Sequence, residues 1–231
     1  MTLLIATNNT NKAREIRALF ACGGGENQPV ANCDQMKIMS LAEWGLAFTP
    51  GEDGGTFEAN ATQKAVETMV FLRENVGQSD AFIDADGFDR SITPDALYVL
   101  ADDSGLVIDS LDGAPGVDSA LYLGVDTPFA VRNAHILDLM KDVPDGERTA
   151  RFVCVAACCL PDGSVVMCRG VLEGIIAREM MGSDGFGYDP IFYVPGYGKT
   201  LAQLTVAEKN VISHRGLAMR GMAELLERGA K

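Results

Sequence analysis

The sequence predicts an α/β fold in which helices flank a mixed β-sheet. Apolar runs of strand length alternate with helical stretches along the chain, and the opening run is followed directly by an amphipathic helix. Later in the chain, two strand-like runs are joined by a short turn signal, which is typical of a hairpin and therefore of antiparallel strands. Because the sequence supports both kinds of connection, we expect the sheet to contain parallel and antiparallel pairs.

The opening elements follow from local patterns. Residues 2–7 are an apolar run that predicts a buried strand, and an Asn-rich turn leads from it into a helix. The glycines at 23–25 end this helix, whose inner face carries Ala13, Ile16, Leu19 and Phe20. A second helix is predicted after Thr56, which is a suitable N-cap, and its inner stripe consists of Phe57, Ala61, Ala65, Thr68, Met69 and Leu72. Residues 74–95 are polar and acidic, so we expect an inserted surface loop there.

The remaining strands lie in the second half of the chain. Residues 96–101 predict a strand that ends at Asp102, and residues 106–108 predict another. Residues 151–160 and 164–169 predict two more strands, joined by the turn sequence Pro-Asp-Gly at 161–163.

Helix starts are marked by capping residues. Thr127 and Pro128 suit the N-cap and first position of a helix that continues to about Lys141. Thr205 and Glu208 have the spacing of a capping box at the start of a further helix. Ser213 is placed to cap the last helix of the chain.

Length and composition predict one domain over residues 1–231, in a protein of the cytoplasm. Hydrophobic residues make up 47% of the chain, but no apolar run reaches the ~18 residues of a membrane-spanning helix. The N-terminus lacks the pattern of a signal peptide. The six cysteines show no paired spacing and are expected to be reduced. Because 32 acidic against 19 basic residues give a net charge of −13, we expect no binding of nucleic acid or of an anionic membrane surface.

The turn between the first strand and its helix is a candidate phosphate site. It consists of Thr7, Asn8, Asn9, Thr10, Asn11 and Lys12. A strand-turn-helix connection directs backbone N–H groups and the positive end of the helix dipole towards an anion, and Lys12 adds a charge. The alternative is an ordinary turn that is rich in Asn because Asn tolerates tight turns. The spacing is not that of a P-loop.

Two adjacent carboxylates, Asp102 and Asp103, follow an apolar strand and precede Ser104. Ionising both is costly unless something compensates them, and Mg²⁺ does so while keeping coordination sites for phosphate oxygens. One carboxylate could hold the metal while its neighbour orients or deprotonates a water molecule. The alternative is a solvated Asp-Asp turn.

Two further segments carry charged and aromatic residues. Glu52 precedes the second helix and Lys64 lies within it, which suits a metal ligand and a phosphate-binding lysine, although isolated residues of this kind are usually surface charges. Near the end of the chain, the glycine-rich stretch 185–190 offers aromatic faces for a purine ring. Side chains that could bind the edge of that ring are Asp189, Lys209, His214 and Arg215. A capped helix start would equally explain the last two.

Taken together and in this order, these segments resemble the inosine triphosphate pyrophosphatase family, which hydrolyses non-standard purine nucleoside triphosphates. The resemblance extends over almost the whole chain and is closest to the bacterial type of the family. The matching segments are Thr7 to Lys12, Glu52 to Lys64, Asp102 to Leu106, Gly113 to Gly116, Arg151-Phe152, Gly185 to Pro190 and Glu208 to Arg215.

The resemblance implies an elongated fold with a long mixed sheet, two lobes with the active-site cleft between them, and a homodimer. It also implies Mg²⁺-dependent attack of water on the α-phosphate, which yields a nucleoside monophosphate and pyrophosphate. By matched position, Thr7 to Lys12 and Lys64 would hold phosphates, and Glu52 and Asp103 would bind the metal. Asp103 or Asp102 would activate water, and Ser104 would contact substrate. The base pocket would consist of Phe186, Gly187, Tyr188, Asp189, Lys209, His214 and Arg215.

The chain departs from the family pattern after Gly116. The bacterial sequences usually continue with Tyr-Ser-Ala-Arg, whereas residues 118–121 are Asp-Ser-Ala-Leu. Because Asp118 is acidic and Leu121 replaces a basic residue, we expect weaker substrate affinity or altered dimer contacts. Two other functions stay open from the residues alone: a triphosphatase that releases orthophosphate, and a nucleotide-binding module that has lost catalysis.

Overall fold

The computed structural model describes residues 2–21, 36–46, 48–75 and 94–229. Most of the predicted acidic loop, the glycines at 23–25 and two of the six cysteines lie outside these ranges. The other four cysteines, Cys154, Cys158, Cys159 and Cys168, are free thiols, in agreement with the expected reduced state. Within the described ranges, no helix combines the length and apolar character that a membrane span requires.

Among the residues that the structure describes, seven strands form one mixed sheet in the order β2-β1-β3-β4-β5-β6-β7. Their bounds are Thr2–Ile5 (β1), Lys37–Ser40 (β2), Leu97–Ile108 (β3), Thr149–Cys159 (β4), Val165–Ile176 (β5), Phe192–Val194 (β6) and Lys199–Thr200 (β7). Strand β1 pairs in parallel with β2 and β3, while β6 pairs antiparallel with β5 and β7. The predicted α/β class and the mixed sheet are therefore confirmed.

In the described part of the chain, five α-helices accompany the sheet: Thr10–Ala21 (α1), Phe57–Asn75 (α2), Phe129–Leu139 (α3), Val206–Ile212 (α4) and His214–Gly229 (α5). The predicted inner faces of α1 and α2 are buried in full. Thr56 accepts a hydrogen bond from the backbone N–H of Ala59, and Thr205 and Glu208 form the predicted capping box. Ser213 Oγ accepts from the N–H of Gly216 at 3.0 Å, as expected of the residue that caps α5.

Several boundaries differ from the predictions. The strand predicted over 164–169 continues as β5 to Ile176, and the strand predicted over 2–7 ends at Ile5. Strand β3 does not end at Asp102 but continues through Gly105 to Ile108, because buried contacts outweigh the low strand propensity of Asp and Gly. The N-cap position of α3 is held by Pro128, not by Thr127. The Thr127 hydroxyl instead donates to the Leu123 carbonyl oxygen at 2.7 Å, so it closes the preceding turn.

The backbone contacts divide the chain into two compact units. Unit 1 comprises Met1–Asp103, Val155–Arg169 and Ala218–Lys231, and unit 2 comprises Ser104–Cys154 and Gly170–Leu217. In unit 1, strand β1 is buried at Leu3, Leu4 and Ile5. The core of unit 2 includes Leu106, Ile108, Ile136, Phe152, Ile176, Tyr188, Ile191, Phe192 and Leu201.

Unit 2 also buries an arginine that the sequence did not mark as structural. Arg148 is 2% exposed and its guanidinium donates to the carbonyl oxygens of Met140, Ile176 and Ala177. These carbonyls belong to the end of α3 and the end of β5. All three of these hydrogen bonds use backbone acceptors, which satisfy the donors of the buried guanidinium.

Candidate active site

The turn after β1 begins beside Leu100 of the neighbouring parallel strand β3. The N–H of Ala6 donates to the Leu100 carbonyl oxygen at 2.7 Å, and β3 continues two residues further to Asp102. The predicted phosphate turn and the aspartate pair therefore lie at the same edge of the sheet. This is the edge at which ligands bind in open α/β sheets.

Asn9 is the residue that caps α1. Its Oδ1 accepts from the backbone N–H groups of Asn11 and Lys12, at 3.0 and 3.2 Å. The Asn8 side chain donates to Phe48 O and to Thr49 Oγ1, which ties the turn to the chain that precedes α2. Two of the backbone donors proposed for an anion are thus already used. The exposed side chains of this turn, the helix dipole and Lys12 remain for phosphate.

Asp102 and Asp103 are both buried, at 3% and 5% exposed, and each has its own lysine. Lys12 Nζ lies 3.4 Å from Asp102 Oδ2, and Lys64 Nζ lies 2.9 Å from Asp103 Oδ1. Successive side chains of a strand point to opposite faces of the sheet. The structure therefore separates the two carboxylates, and neither depends on a metal for its only counter-charge.

Lys64 connects Asp103 to Glu52. Its Nζ donates to Glu52 Oε1 at 2.8 Å as well as to Asp103, and the lysine is 3% exposed. Burial acts to lower the pKa of the Lys64 ammonium, but Asp103, Glu52 and Asp102 outweigh it and the net shift is upward. Burial raises the pKa of the Asp103 carboxyl, and Lys64, Lys12 and Asn60 oppose this rise only in part. Lys64 thus stays charged between two acids.

The donor set around Lys64 fits a hard divalent cation. The oxygens Glu52 Oε1 and Asp103 Oδ1 both approach one cationic atom, at 2.8 and 2.9 Å. Across the described ranges, no three His, Cys, Asp or Glu side chains are grouped for metal binding. Two carboxylates with water and substrate oxygens as further ligands is the arrangement typical of Mg²⁺, whereas a structural zinc site needs four protein ligands.

A second group of predicted site residues lies in unit 2. Asp189, 3% exposed, and Lys209, 7% exposed, form an ion pair with 2.7 Å between Oδ2 and Nζ. The same oxygen accepts from the backbone N–H of Phe186 at 2.9 Å. This buried carboxylate therefore fixes both the lysine and the loop that carries Phe186.

The Phe186 ring is half-buried and lies among cations. Lys209 Nζ is 5.0 Å from the ring centroid and Arg215 Cζ is 5.8 Å from it. The Arg215 guanidinium, which is 3% exposed, donates to Ser104 Oγ at 2.8 Å. An aromatic face beside two N–H donors is suited to a purine ring with acceptor atoms on its edge.

Tyr188 and His214 are buried in this group, and both rings contact other protein side chains. The Tyr188 hydroxyl donates to Ser119 O at 2.8 Å, and its ring meets Phe129 edge to face. Burial raises the pKa of Tyr188 to about 12, so the hydroxyl remains a donor. The His214 ring is 5% exposed and stacks on Phe152, with centroids 4.6 Å apart. Both rings therefore contribute first to holding the surrounding residues in place.

Comparisons with known proteins cover the chain almost from end to end. A family model described as the Ham1 family matches residues 3–225. The chain belongs to the Ham1 family. Relatives named dITP/XTP pyrophosphatase share 39% identity in Desulforamulus reducens, over 99% of this chain and 96% of the relative, and 38% in Clostridium perfringens, over 97% and 96%.

Solved structures agree with this assignment. The Ham1 protein of Staphylococcus aureus has 31% identity and a TM-score of 0.74, with all of both chains covered. A HAM1 protein of Coxiella burnetii has 33% identity and a TM-score of 0.73, with 99% of each chain covered. The family resemblance and the fold predicted from the motifs are confirmed.

Two asparagines of this Ham1-family protein were missed as candidate site residues. Asn60 on α2 donates from Nδ2 to Asp103 Oδ2 at 3.1 Å. Asn133 on α3 donates to the carbonyl oxygen of Gly187 at 3.1 Å, and Gly187 itself has a φ of +70°. Their signal was available, because a buried asparagine within an otherwise apolar helix face requires a polar partner.

The segment 118–121, where the resemblance implied Tyr-Ser-Ala-Arg, faces solvent at both ends. Asp118 is exposed, and Leu121 is 51% exposed. Between them, Ser119 is buried, and its hydroxyl accepts from the N–H of Leu106 at 2.9 Å. The effect of the two departures on substrate affinity or dimer contacts stays a prediction.

Gly185 is required by the geometry of the Asp189 loop, and we expect Gly185→Ala to be destabilising. Its φ is +78°, and a Cβ there would lie 2.1 Å from Asp189 Oδ2. A left-handed conformation alone costs a non-glycine residue about 1–2 kcal/mol. Thermal unfolding should therefore give a Tm lower by about 2–8 °C, more if Asp189 is displaced.

The matched control for this measurement is Gly196→Ala. A Cβ at Gly196 would meet no atom within 4 Å, and its backbone lies outside the left-handed region. We expect its Tm to equal or slightly exceed that of the parent protein. Equal Tm values for the two variants would contradict the role given to Gly185.

Proposed function

We propose that this protein hydrolyses inosine, deoxyinosine and xanthosine triphosphates to the nucleoside monophosphate and pyrophosphate, and so removes non-standard purines from the nucleotide pool. The observation that carries the proposal is the convergence of Glu52 and Asp103 on Lys64. It occurs in a chain similar over nearly its whole length to proteins named dITP/XTP pyrophosphatase. The exposed carboxylate of Glu52 and the buried carboxylate of Asp103, next to a buried lysine, suit the binding of a metal and of phosphate charge in phosphoryl transfer.

The triphosphate is held by the residues around the turn after β1. Thr7, Asn8, Asn9, Thr10 and Asn11 present hydroxyl and amide groups, and Lys12 and Lys64 provide positive charge. Lys12 is 18% exposed at its side chain, so its ammonium can exchange part of its contact with Asp102 for a phosphate oxygen. Both lysines are already oriented by carboxylates, which reduces the entropy lost when substrate binds.

Glu52 and Asp103 are the residues that would hold Mg²⁺. When bound, Mg²⁺ neutralises phosphate charge and polarises the phosphorus centre towards attack. Asp103 or Asp102 accepts the proton of the attacking water. Asp103 Oδ1 and Oδ2 are each fixed by a donor, Lys64 and Asn60, and a carboxylate oxygen retains a further lone pair for that proton.

The base is recognised by the group around Asp189, with Phe186 as the stacking surface. Hypoxanthine and xanthine carry a keto acceptor at position 6, where adenine carries an amino donor. N–H donors of Lys209 and Arg215 pair with the ketone, whereas the adenine amino group would face donors. An unpaired buried donor costs roughly 1–3 kcal/mol, which corresponds to about ten- to hundred-fold discrimination per contact. Ser104 orients Arg215, and His214 completes the pocket.

The test is a panel of nucleoside triphosphates assayed with Mg²⁺ for both inorganic products. We expect pyrophosphate and a monophosphate from the inosine and xanthosine substrates, and turnover of ATP lower by about ten-fold or more. Release of orthophosphate would instead identify a triphosphatase. Binding without either product would identify a nucleotide-binding module.

Removal of divalent metal should stop turnover without unfolding the protein. Lys64 already compensates Glu52 and Asp103 when no metal is present. We therefore expect the Tm in EDTA to remain within about 2 °C of the Tm in Mg²⁺, a shift that corresponds to under about 1 kcal/mol. Retained activity in EDTA would contradict the proposed metal requirement.

The homodimer implied by the resemblance forms part of the same proposal. A single chain has a mass of 24.6 kDa. Light scattering during gel filtration should therefore give twice this mass, and a monomer mass would refute the dimer.

A further inference from the structure

Asn60 is a buried residue on α2, and both the oxygen and the nitrogen of its side-chain amide form hydrogen bonds. It is 4% exposed, its Nδ2 donates to Asp103 Oδ2 at 3.1 Å, and its Oδ1 accepts from the backbone N–H of Gly54 at 2.8 Å. A Cβ at Gly54 would lie 2.6 Å from Ala59 Cβ and 3.1 Å from Asn60 Oδ1. Only glycine therefore allows the loop to approach the amide this closely.

The orientation of this amide follows from its partners. A backbone N–H can only donate, so the atom facing Gly54 must be the amide oxygen. The NH₂ group then necessarily faces Asp103, and a carboxylate can accept from it. The chemistry of the two neighbours thus fixes which end is nitrogen.

Asp103 is held on both oxygens by the same face of α2. Lys64 Nζ donates to Oδ1 and Asn60 Nδ2 donates to Oδ2. Asn60 and Lys64 are four residues apart on the helix and so lie on the same face, one above the other. Rotation of the carboxylate about its Cβ–Cγ bond would break both bonds, so its plane is fixed.

The same two residues also hold the loop that carries Glu52. Lys64 donates to Glu52 Oε1, and Asn60 accepts from Gly54, two residues further along the loop. Asn60 and Lys64 therefore form two parallel bridges from α2, each joining Asp103 to the Glu52 loop. The spacing of the Glu52 and Asp103 carboxylates depends on both bridges.

We propose that Asn60 is a positioning residue for hydrolysis, which holds Asp103 and the Glu52 loop in the arrangement that binds metal and activates water. The inference rests on the proposed function. Asn60 itself does not touch substrate. Its contribution is to keep the carboxylates within the sub-ångström tolerance that catalytic groups require.

The variant Asn60→Asp tests the Asp103 end of the bridge. Aspartate has the same shape, and one of its oxygens can still accept from Gly54, but the other replaces a donor by a negative charge next to Asp103. Misplacing a reacting group by about 1 Å costs on the order of 10²-fold in rate. With dITP, we expect kcat to fall by about 30-fold or more, and KM to change by less than about three-fold because phosphate and base contacts remain.

Asn75→Asp is the matched control. It makes the same change in side chain and charge on the same helix, where the half-buried Asn75 amide donates to the Phe71 carbonyl oxygen. We expect its kcat to stay within about two-fold of the parent value, since Asn75 lies beyond Lys64 on α2 by about 16 Å along the helix axis and so away from Asp103. A kcat for Asn60→Asp as high as that of the control would overturn the proposal.

A second measurement does not depend on activity. Melting temperatures are determined in EDTA for Asn60→Asp, Asp103→Asn and the double variant, which restores a donor–acceptor pair with its polarity reversed. If the two side chains interact, the fall in Tm of the double variant should be smaller than the sum of the two single falls, by about 2 °C or more. Additive shifts would overturn the proposal.

The kinetic and the melting measurements together distinguish a failure of the role given to Asn60 from a failure of the proposed function. If the parent protein releases orthophosphate or does not turn over dITP, the proposed function fails. The melting cycle then still decides whether Asn60 holds Asp103.

Discussion

Replacing Asp103 with Asn is expected to reduce kcat for dITP by about 10²–10⁴-fold, the range over which a positioned acid or base accelerates a reaction. The amide has nearly the shape of the carboxylate, so packing against α2 is kept. Its oxygen can still accept from Lys64, but the group has lost the charge that a divalent metal requires and cannot take a proton from water. Nucleotide binding should be largely retained, because Lys12, Lys64 and the base contacts are unchanged.

Steady-state kinetics and equilibrium nucleotide binding together check this prediction. Asp138→Asn serves as the control, because Asp138 lies on α3 with 71% of its side chain accessible and pairs with the exposed Lys141. Its kcat should match that of the parent. An active Asp103→Asn variant would remove Asp103 from the mechanism and leave Asp102 as the base.

Replacing Lys209 with Met is expected to affect stability and base preference together. The ion pair of Lys209 with Asp189 is buried on both sides, at 9% and 4% side-chain exposure. Loss of one partner leaves a buried charge unpaired, which costs about 3–5 kcal/mol, or a Tm lower by about 6–20 °C. The preference for dITP over dATP should fall by about ten-fold or more, because one donor to the 6-keto group is lost.

A neutral pair separates these two effects. In the double variant Lys209→Met with Asp189→Asn, neither member of the ion pair remains as an unpaired buried charge, so most of the lost Tm should return, while the selectivity should not. Lys199→Met is the control for loss of a lysine, since Lys199 is 46% exposed and lies 4.0 Å from Glu208. Recovery of selectivity in the double variant would contradict the role of Lys209 in reading the base.

Local patterns in the sequence were sufficient to predict most of the helices and strands. The apolar stripes of α1 and α2 and the caps at Thr56, Thr205 and Ser213 depend on neighbours within a few residues, which local reasoning captures. The continuation of β3 through Asp102 and Asp103 depends instead on lysines distant in sequence. Without Lys12 and Lys64, two buried aspartates in a strand would be implausible, and the sequence could not show that these lysines approach them.

For the site, the sequence identified the charged residues but not how they are held. Lys64 was expected to bind phosphate, and the structure adds that it joins Glu52 to Asp103. Asn60 and Asn133 act through contacts with residues more than forty positions away, at Asp103 and Gly187. Tyr188 has the appearance of a stacking residue in sequence, yet it is 3% exposed, because its hydroxyl bonds to Ser119 O and its ring packs against Phe129.

The division of the chain into units also determines the order in which they can be completed during synthesis. Unit 1 needs a last segment that begins at Ala218, whereas all of unit 2 precedes that residue. At translation rates of about 5–20 residues per second, roughly 6–23 s pass between the end of the first segment of unit 1 and the start of its last. During this interval the apolar residues of β1 and α2 have been synthesised, but the part of α5 that completes unit 1 has not. Variants that weaken unit 1 should therefore lose yield on the ribosome beyond what the stability of the finished protein would indicate.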